Sequence, residues 1–281
     1  MSMDKYKVDN LIILVGDSTF PCLLAAKSLL KEGGKVVLVH TQATEASAKR
    51  LRKVLAGNNV DLVYCLGEFD AHEINKSLNR TLSKLTDPKK KIGLHYTGGT
   101  KAMAVHAYRT VQEWERRNDR KVVYSYLNSR TLEMVFDHEW QCPATVKIEN
   151  VASLKEIILL SHKDLSATEK ENEVASIVAT EIEKSPEFTG AEILVNSVVA
   201  NEYYEFGIDV SVVVGGQLLM IACVNSSDTE VIMTEALKYK SRAKKLAGEL
   251  AKVAVVSLAN NGDLSALKAE IDSVKFFTGN N

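Results

Sequence analysis

The sequence has 281 residues, of which 46% are hydrophobic and 25% are charged. This composition is typical of one large or two ordinary folded domains, and it excludes disordered, collagen-like and coiled-coil chains. The formal net charge is −1, which points neither to a nucleic-acid binder nor to an acidic tail. Residues 1–150, however, contain 23 basic and 17 acidic side chains, whereas residues 151–281 contain 12 and 19. We therefore expect a basic first half and an acidic second half that meet different partners.

The four cysteines lie far apart, without a C-x-x-C pair or a histidine at metal-ligand spacing: Cys22, Cys65, Cys142 and Cys223. This pattern predicts buried thiols in a reducing compartment and argues against a structural zinc site. The N-terminus lacks a long apolar segment, and apolar runs such as 11–15 are far shorter than the roughly 20 residues of a membrane helix. We therefore expect a cytoplasmic protein with no membrane partner.

In the first 140 residues, short apolar runs alternate with helical patterns. The runs predict strands at 11–15, 35–40, 61–66 and 92–96. The helical patterns comprise an amphipathic stretch that ends at Leu30, before Gly33-Gly34, and segments near 45–55, 71–85 and 101–116. Short apolar runs separated by helices are typical of parallel strands with crossover helices, so the sequence predicts a Rossmann-like doubly wound α/β sheet. A hairpin of strands 121–127 and 131–136 would add an antiparallel edge.

The rest of the chain predicts a connector and a second α/β unit. Residues 141–166, which include Pro143, form the connector. The second unit is predicted to contain helices at 167–183 and 229–247 and strands at 193–199, 207–214, 218–224 and 252–258. Gly215-Gly216 would join the second and third of these strands. The sequence thus divides into a first domain at 1–140, the connector and a smaller domain at 167–281.

The loop after the fourth strand carries the strongest functional signal, because ligands of open α/β sheets bind outside the carboxyl ends of the strands. It reads Thr97-Gly98-Gly99-Thr100-Lys101. Two glycines permit a tight turn that exposes backbone amides, Thr100 is a good N-cap, and the next helix brings its positive end to the same place. With two threonine hydroxyls and Lys101, this pattern predicts an anion site that favours phosphate. A tight turn without a ligand is the alternative.

Two common nucleotide motifs are missing from the sequence. The first loop, Gly16-Asp17-Ser18-Thr19-Phe20, lacks G-x-G-x-x-G, and the chain contains no G-x-x-x-x-G-K-[ST]. Nicotinamide and ATP sites are therefore disfavoured. Ser18 and Thr19 can also be explained as a simple helix cap.

The stretch 96–104, Tyr-Thr-Gly-Gly-Thr-Lys-Ala-Met-Ala, resembles the Thr-Gly-Gly-Thr-Lys signature of CARF domains, the Rossmann-like sensors of type III CRISPR systems. It resembles in particular the subgroup in which a CARF domain, here roughly 8–140, precedes a PD-(D/E)xK restriction-type nuclease, here roughly 165–260. This resemblance implies a homodimer that binds a cyclic oligoadenylate, with the tetra-adenylate favoured, across its twofold axis. The residues that the resemblance places on the ring come from three loops: Asp17, Ser18, Thr19, Phe20, Thr41, Gln42, Thr97, Gly98, Gly99, Thr100 and Lys101.

The same resemblance implies nuclease chemistry that the second half only partly supports. Such a nuclease needs an acid on one strand and Glu-x-Lys on the next, which together hold Mn²⁺ or Mg²⁺ against the phosphate. Asp209 fits the first catalytic acid and metal ligand, and Glu173, in preference to Glu171, fits an additional helical acid. Where Glu-Cys-Lys is expected, however, the chain has Ala222-Cys223-Val224. We therefore expect a nuclease-like domain with an incomplete active site, which needs a divalent metal only if it is active.

Three explanations of the altered motif stay open. Natural erosion would leave an effector domain that binds without cutting. An inactivating Glu→Ala substitution made for study would explain Ala222 but not Val224, and a migrated lysine, such as Lys238 or Lys240, would leave one aspartate to hold the metal. The acidic second half argues against tight binding of DNA or RNA.

Two further functions compete with a ligand-activated DNA or RNA nuclease. The sensor itself could cleave its ring, with Ser18, Thr100 or Lys101 aligning a ribose hydroxyl for attack on the adjacent phosphate. Alternatively, the protein is a non-enzymatic regulator whose second domain contacts DNA or a partner protein.

Overall fold

The computed structural model describes residues 2–137, 144–149, 151–161, 164–167, 172–200, 205–257 and 274–278. The chain divides into two compact units, Met1–Val151 and Ala152–Asn281, which we call unit 1 and unit 2. The basic and acidic halves of the sequence correspond closely to these two units.

Unit 1 is a seven-stranded sheet with the strand order β3-β2-β1-β4-β5-β6-β7. Strands β1 to β5 are parallel, while β6 and β7 add an antiparallel edge. This arrangement confirms the predicted Rossmann-like doubly wound sheet and the hairpin at its edge. The strands are β1 (Val8–Leu14), β2 (Leu30–His40), β3 (Asn59–Tyr64), β4 (Ile92–His95), β5 (Val122–Asn128), β6 (Glu133–Phe136) and β7 (Ala144–Lys147). The helices are α1 (Phe20–Leu29), α2 (Glu45–Val54), α3 (Ala71–Leu82) and α4 (Lys101–Asn118).

Alternation along the strands builds the core of unit 1. Ile12 and Leu14 of β1, with Val37 and Val39 of β2, form one buried cluster with apolar residues of α3 and α4 such as Ile74. The intervening residues of the same strands are also buried. Because successive strand side chains point to opposite faces, these apolar runs are buried on both faces of the sheet, as expected for parallel strands.

The first helix and the second strand differ from the prediction. The sequence predicted an amphipathic stretch through Leu30, stopped by Gly33-Gly34; α1 ends at Leu29, as predicted within one residue, but it is buried on most of its sides. The two glycines lie inside β2 instead. There the pairing with β1 shifts from Val8↔Leu30 to Asn10↔Lys35, and a Cβ on Gly34 would lie only 2.8 Å from a backbone oxygen. The two glycines therefore permit a bulge in strand β2 and do not end helix α1.

Unit 2 contains a six-stranded sheet with the order β13-β12-β11-β10-β9-β8. Strands β8 to β11 form an antiparallel meander, and β12 and β13 continue it in parallel. The turn between β10 and β11 is the predicted Gly215-Gly216, with both φ angles positive. The strands are β8 (Asp164–Ala167), β9 (Glu192–Ala200), β10 (Glu205–Val214), β11 (Gln217–Val224), β12 (Ala251–Ser257) and β13 (Val274–Thr278). The helices are α5 (Leu154–Ser161), α6 (Glu173–Lys184) and α7 (Thr229–Ala247).

The predicted connector 141–166 contains elements of both units. Strand β7 extends the sheet of unit 1, whereas α5 and β8 belong to unit 2. The helix predicted at 167–183 begins at Glu173, and β13 was not predicted at all.

Cys22, Cys65 and Cys223 are buried free thiols, while Cys142 lies outside the described residues. Among the helices that the structure describes, none is long and apolar enough to cross a membrane.

Candidate functional site

The loops that follow β1 and β4 meet at the carboxyl edge of the unit 1 sheet. Because β1 and β4 are parallel neighbours, their ends lie side by side. A Cβ on Gly98 would lie 2.1 Å from the Leu14 carbonyl oxygen and 2.8 Å from the Gly16 nitrogen. A Cβ on Gly16 would in turn lie 2.9 Å from the Gly99 nitrogen. The two loops therefore touch backbone to backbone, and glycine is required for this contact.

The fourth loop leads directly into the N-terminus of α4. Gly99 has a φ of +76°, a backbone conformation that glycine adopts without strain. Thr100 is the N-cap, and its Oγ1 accepts a hydrogen bond of 3.1 Å from the Met103 N–H. The unpaired amides and the positive end of the helix dipole make this position suited to an anion. Lys101, the first residue of α4, is exposed beside it.

The two threonine hydroxyls of this loop hold protein structure together. Thr97 Oγ1 accepts a 2.6 Å hydrogen bond from the Leu127 N–H in β5. Thr100 Oγ1, besides capping α4, donates a 2.8 Å hydrogen bond to the carbonyl oxygen of Glu68 in the third loop. Both hydroxyls were predicted as anion ligands. In the structure they fix the shape of the loop. Thr97 is exposed and uses only its oxygen as acceptor, so its O–H, the loop backbone and Lys101 can still meet a ligand.

Two of the predicted residues of the first loop are exposed and two are buried. Asp17 and Ser18 are exposed, whereas Thr19 and Phe20 are 6% and 1% exposed. Thr19 occupies the N-cap position of α1 without a side-chain capping bond. The ring of Phe20, which the resemblance placed on the ligand, belongs to the core. Removing a large apolar ring from water is favourable, so the side chain of Phe20 stays in the core and is not available at the surface.

The second loop likewise has one buried and one exposed residue among those predicted. The Thr41 N–H donates to Thr44 Oγ1 at 3.1 Å, the two hydroxyl oxygens lie 3.4 Å apart, and Thr41 is buried. Gln42 is exposed. Of the two residues predicted from this loop, Gln42 thus offers its side chain to solvent and Thr41 closes the turn.

The third loop contributes residues that the sequence analysis did not select. Leu66 and Phe69 are 69% and 74% exposed, and Glu68 between them accepts the hydrogen bond from Thr100. One turn into α4, Val105 is 63% exposed. The sequence contained a signal for this surface, because Leu66-Gly67-Glu68-Phe69 places two large apolar residues in a loop at a strand end.

In unit 2, the carboxylate of Asp209 is held by protein donors. Its Oδ2 accepts the Cys223 N–H at 2.8 Å, and its Oδ1 accepts Nδ2 of Asn172 at 3.3 Å. The Asp209 N–H donates to the hydroxyl of Tyr239 in α7 at 2.8 Å. Burial and the neighbouring Asp209 raise the pKa of the Cys223 thiol to about 12 and also raise the pKa of Tyr239. The Cys223 thiol and the Tyr239 hydroxyl beside this carboxylate therefore stay protonated at physiological pH.

The positions expected to complete a nuclease site carry no polar side-chain atoms. Ala222 and Val224 on β11 are 1% and 8% exposed. Across the residues that the structure describes, no group of three or more His, Cys, Asp or Glu side chains is arranged to hold a metal ion. A single carboxylate whose two oxygens both accept N–H bonds does not fit a divalent cation, which takes several oxygen ligands.

The helical residue that meets Asp209 is Asn172, which the sequence analysis overlooked. Asn172 is the N-cap of α6, and its Nδ2 also lies 3.4 Å from the Cys223 carbonyl oxygen. Glu173 is the exposed first residue of α6, and Glu171 lies outside the described residues. An asparagine directly before the first acid of a helix is a typical N-cap pattern, so the signal was present. Lys238 on α7 pairs with Glu235 at 2.5 Å.

Comparisons with known proteins agree with this fold. The family model of the Card1 CARF domain matches residues 10–157. A search of the curated proteins found no match.

Three solved structures are similar over nearly the whole chain. Protein VC1899 from Vibrio cholerae is 10% identical with a TM-score of 0.75, over 96% of this chain and 93% of that one. Can2 from Sulfobacillus thermosulfidooxidans, solved in complex with cyclic tetra-adenylate, is 13% identical with a TM-score of 0.72, over 98% and 95%. A type III CRISPR defence DNA nuclease activated by cyclic oligoadenylate is 11% identical with a TM-score of 0.68, and the match covers 97% of this chain and 48% of the nuclease. At these identities the likeness establishes the fold.

Proposed function

This chain belongs to the Card1 CARF domain family, and from this premise we propose that it is a cyclic-oligoadenylate sensor and effector of type III CRISPR antiviral defence. The observation that carries the proposal is the contact between the first and fourth loops, which brings their glycine backbone, the start of α4 and the exposed Lys101 together. Phosphate suits such a helix start. The fold shared with Can2, which was solved with cyclic tetra-adenylate, supports the same class of ligand.

The proposed ligand is the cyclic tetra-adenylate, bound across the twofold axis of a homodimer. Its ring carries about four negative charges, and two copies of a basic, amide-rich loop would surround it symmetrically. The apolar side chains of Phe69 and Val105 border the loop and are 74% and 63% exposed. A second copy of the chain would cover them. Light scattering is expected to give the mass of a dimer, and a monomer at micromolar concentration would contradict the symmetrical site.

The binding test compares rings of three, four and six adenylates by thermal unfolding and calorimetric titration. We expect the four-membered ring to bind most tightly. Lys101→Ala should weaken binding by tenfold or more, because a charge-assisted hydrogen bond to phosphate contributes about 1.5–3 kcal/mol. Lys121→Ala is the matched control, since this exposed lysine precedes β5 at the opposite edge of the sheet. If none of the rings shifts the unfolding temperature, the sensor function is wrong.

For unit 2, we propose a nuclease-like effector domain that binds without metal-dependent cutting. Two observations support this: the carboxylate of Asp209 accepts hydrogen bonds from Cys223 and Asn172, and the neighbouring Ala222 and Val224 are aliphatic and buried. Natural erosion of the motif explains both positions together, whereas a single inactivating substitution explains only Ala222.

The competence of unit 2 is tested with supercoiled plasmid, single-stranded DNA and RNA in the presence of Mn²⁺ and ligand. We expect no cutting by the natural chain and recovery of cutting by the double variant A222E/V224K. Adding Asp209→Ala to that double variant should abolish the recovered activity. Cutting by the natural chain that survives Asp209→Ala would place the active site elsewhere.

A further inference from the structure

Unit 1 contains a groove at the β3 edge of its sheet, which reaches the third loop at Leu66 but none of the first, second and fourth loops. Strand β3 is the last strand on that side, and helix α3 packs mainly on α4 rather than over β3. The strand is consequently exposed or half-buried along its whole length. Between β3 and α3 a cavity of about 370 Å³ remains, which falls within the range of ligand-binding cavities.

The floor of the groove is aliphatic. Val37 of β2 pairs with Asp61 of β3, and Val63 lies two residues further along β3 on the same face, towards α3. Leu66 and Leu85 close the two ends. The ring of Tyr64 borders the cavity; it is 47% exposed and tilted beside His40, with the ring centres 5.8 Å apart. The floor suits an aliphatic side chain, whereas a nucleic-acid base would have to stack on the Tyr64 ring at the border.

The rim of the groove is basic. Side chains at intervals of three or four residues along α3 and just beyond it line one wall, and Arg80 and Lys84 lie in this row. The cavity is lined by four basic and two acidic residues. Both acids are engaged, Asp61 by Lys35 at 2.6 Å and Glu73 by Lys76 at 3.3 Å.

The other two basic residues of the groove are Arg80 and Lys84. Both are exposed, and in the described part of the chain neither side chain has an acidic partner. A ligand that enters the groove thus meets two uncompensated positive charges beside an aliphatic floor.

We propose that this groove is a docking site for a short acidic segment of a partner protein. An aliphatic side chain of that segment lies on the half-buried Val63, above the buried Val37, and its carboxylates pair with Arg80 and Lys84. Aliphatic burial supplies affinity, while the charges select the partner and speed the encounter. This site does not depend on the cyclic-oligoadenylate function, because its residues lie on β2, β3 and α3, directly after α3 and at Leu66, all outside the first, second and fourth loops.

The test uses the full chain and an eight-residue synthetic peptide in which two leucines are flanked by aspartates and glutamates. Methyl NMR is expected to show saturable shifts at Val37, Val63, Leu66 and Leu85.

The double variant R80E/K84E should weaken the binding of the peptide at least tenfold. The matched control R52E/K53E reverses the same charge on exposed residues in the last turn of α2 and should bind like the natural chain. Thermal unfolding of both variants verifies that they are folded.

Three results would overturn the docking site. The first is the absence of shifts at these four methyl-bearing residues up to millimolar peptide. The second is equal binding of a peptide in which all acids are replaced by their amides, since this would remove the role of the two cations. The third is tighter binding of an eight-nucleotide single strand to the same methyl groups, which would assign the groove to nucleic acid.

Discussion

His95 is a neutral histidine inside the unit 1 sheet. It is 0% exposed, its Nδ1 lies 3.1 Å from Ser125 Oγ, and its Nε2 has no hydrogen-bond partner among the described residues. Burial lowers the pKa of His95 from 6.5 to about 3. Between these two pKa values the unfolded chain binds a proton at His95 more readily than the folded chain does. The contribution of neutral His95 to the free energy of unfolding is therefore fully present above pH 6.5 and is lost as the pH falls towards 3.

Acidification from pH 7.5 to 5.0 should therefore destabilise unit 1 through His95 by about 2 kcal/mol, because each pKa unit corresponds to about 1.4 kcal/mol. Urea unfolding can follow this unit by tryptophan fluorescence, since both tryptophans lie between residues 1 and 151. In His95→Gln the loss of stability between the two pH values should shrink by that amount. An unchanged loss would assign the pH dependence to other groups.

Gly98 is the residue on which the loop contact depends most directly. A methyl group there would overlap the Leu14 carbonyl oxygen, so Gly98→Ala must push the two loops apart. Overpacking of this kind costs about 1–3 kcal/mol. We expect this loss in urea unfolding, together with loss of ring binding. Gly57→Ala is the control, because its Cβ would have no atom within 4 Å; a similar loss there would contradict the steric argument.

At the scale of elements, Thr100 joins three parts of unit 1: the fourth loop, helix α4 and the third loop. Thr100→Val keeps the side-chain shape but removes the cap on Met103 and the bond to Glu68. Loss of a cap costs about 1 kcal/mol and loss of a hydrogen bond about as much, so we expect about 2 kcal/mol in urea unfolding. Thr100→Ser retains the hydroxyl and should stay within about 0.5 kcal/mol of the natural chain. Equal losses for valine and serine would show that the methyl group matters instead.

Elements whose signals are local were predictable from the sequence. Helix α7 was predicted with both of its ends, and Gly215-Gly216 located the β10–β11 turn. The bulge at Gly33-Gly34 was not predictable, because a glycine pair signals a helix end and a strand bulge equally well. Strand β13, which pairs in parallel with β12, was also missed.

The same division applies to the candidate site. The glycines and the cap of the fourth loop followed from local chemistry, and the structure bears out the cap at Thr100. The hydrogen-bond partners of the two threonine hydroxyls could not be predicted from local sequence, because those of Thr97 and Thr100 lie about 30 residues away in β5 and the third loop. In unit 2, the register of β10 and β11 and the capping role of Asn172 explain why it, rather than Glu173, meets Asp209.

At the scale of the whole molecule, two units with separate cores and opposite net charge share one chain. One apolar cluster is formed only by residues of unit 1 and another only by residues of unit 2. A ligand that binds only a folded unit stabilises that unit by mass action, by about 2.7 kcal/mol at a hundredfold excess over the dissociation constant. The proposed ring should therefore act selectively on unit 1.

We accordingly expect two transitions in calorimetric unfolding, because each unit has a core of its own. Cyclic tetra-adenylate should raise the temperature of the transition that tryptophan fluorescence reports and leave the other within about 1 °C. Tyr239→Phe, which removes the hydroxyl that accepts the Asp209 N–H, should lower only the second transition. A single transition that shifts as a whole with both the ligand and Tyr239→Phe would instead mean that the two units unfold as one cooperative body.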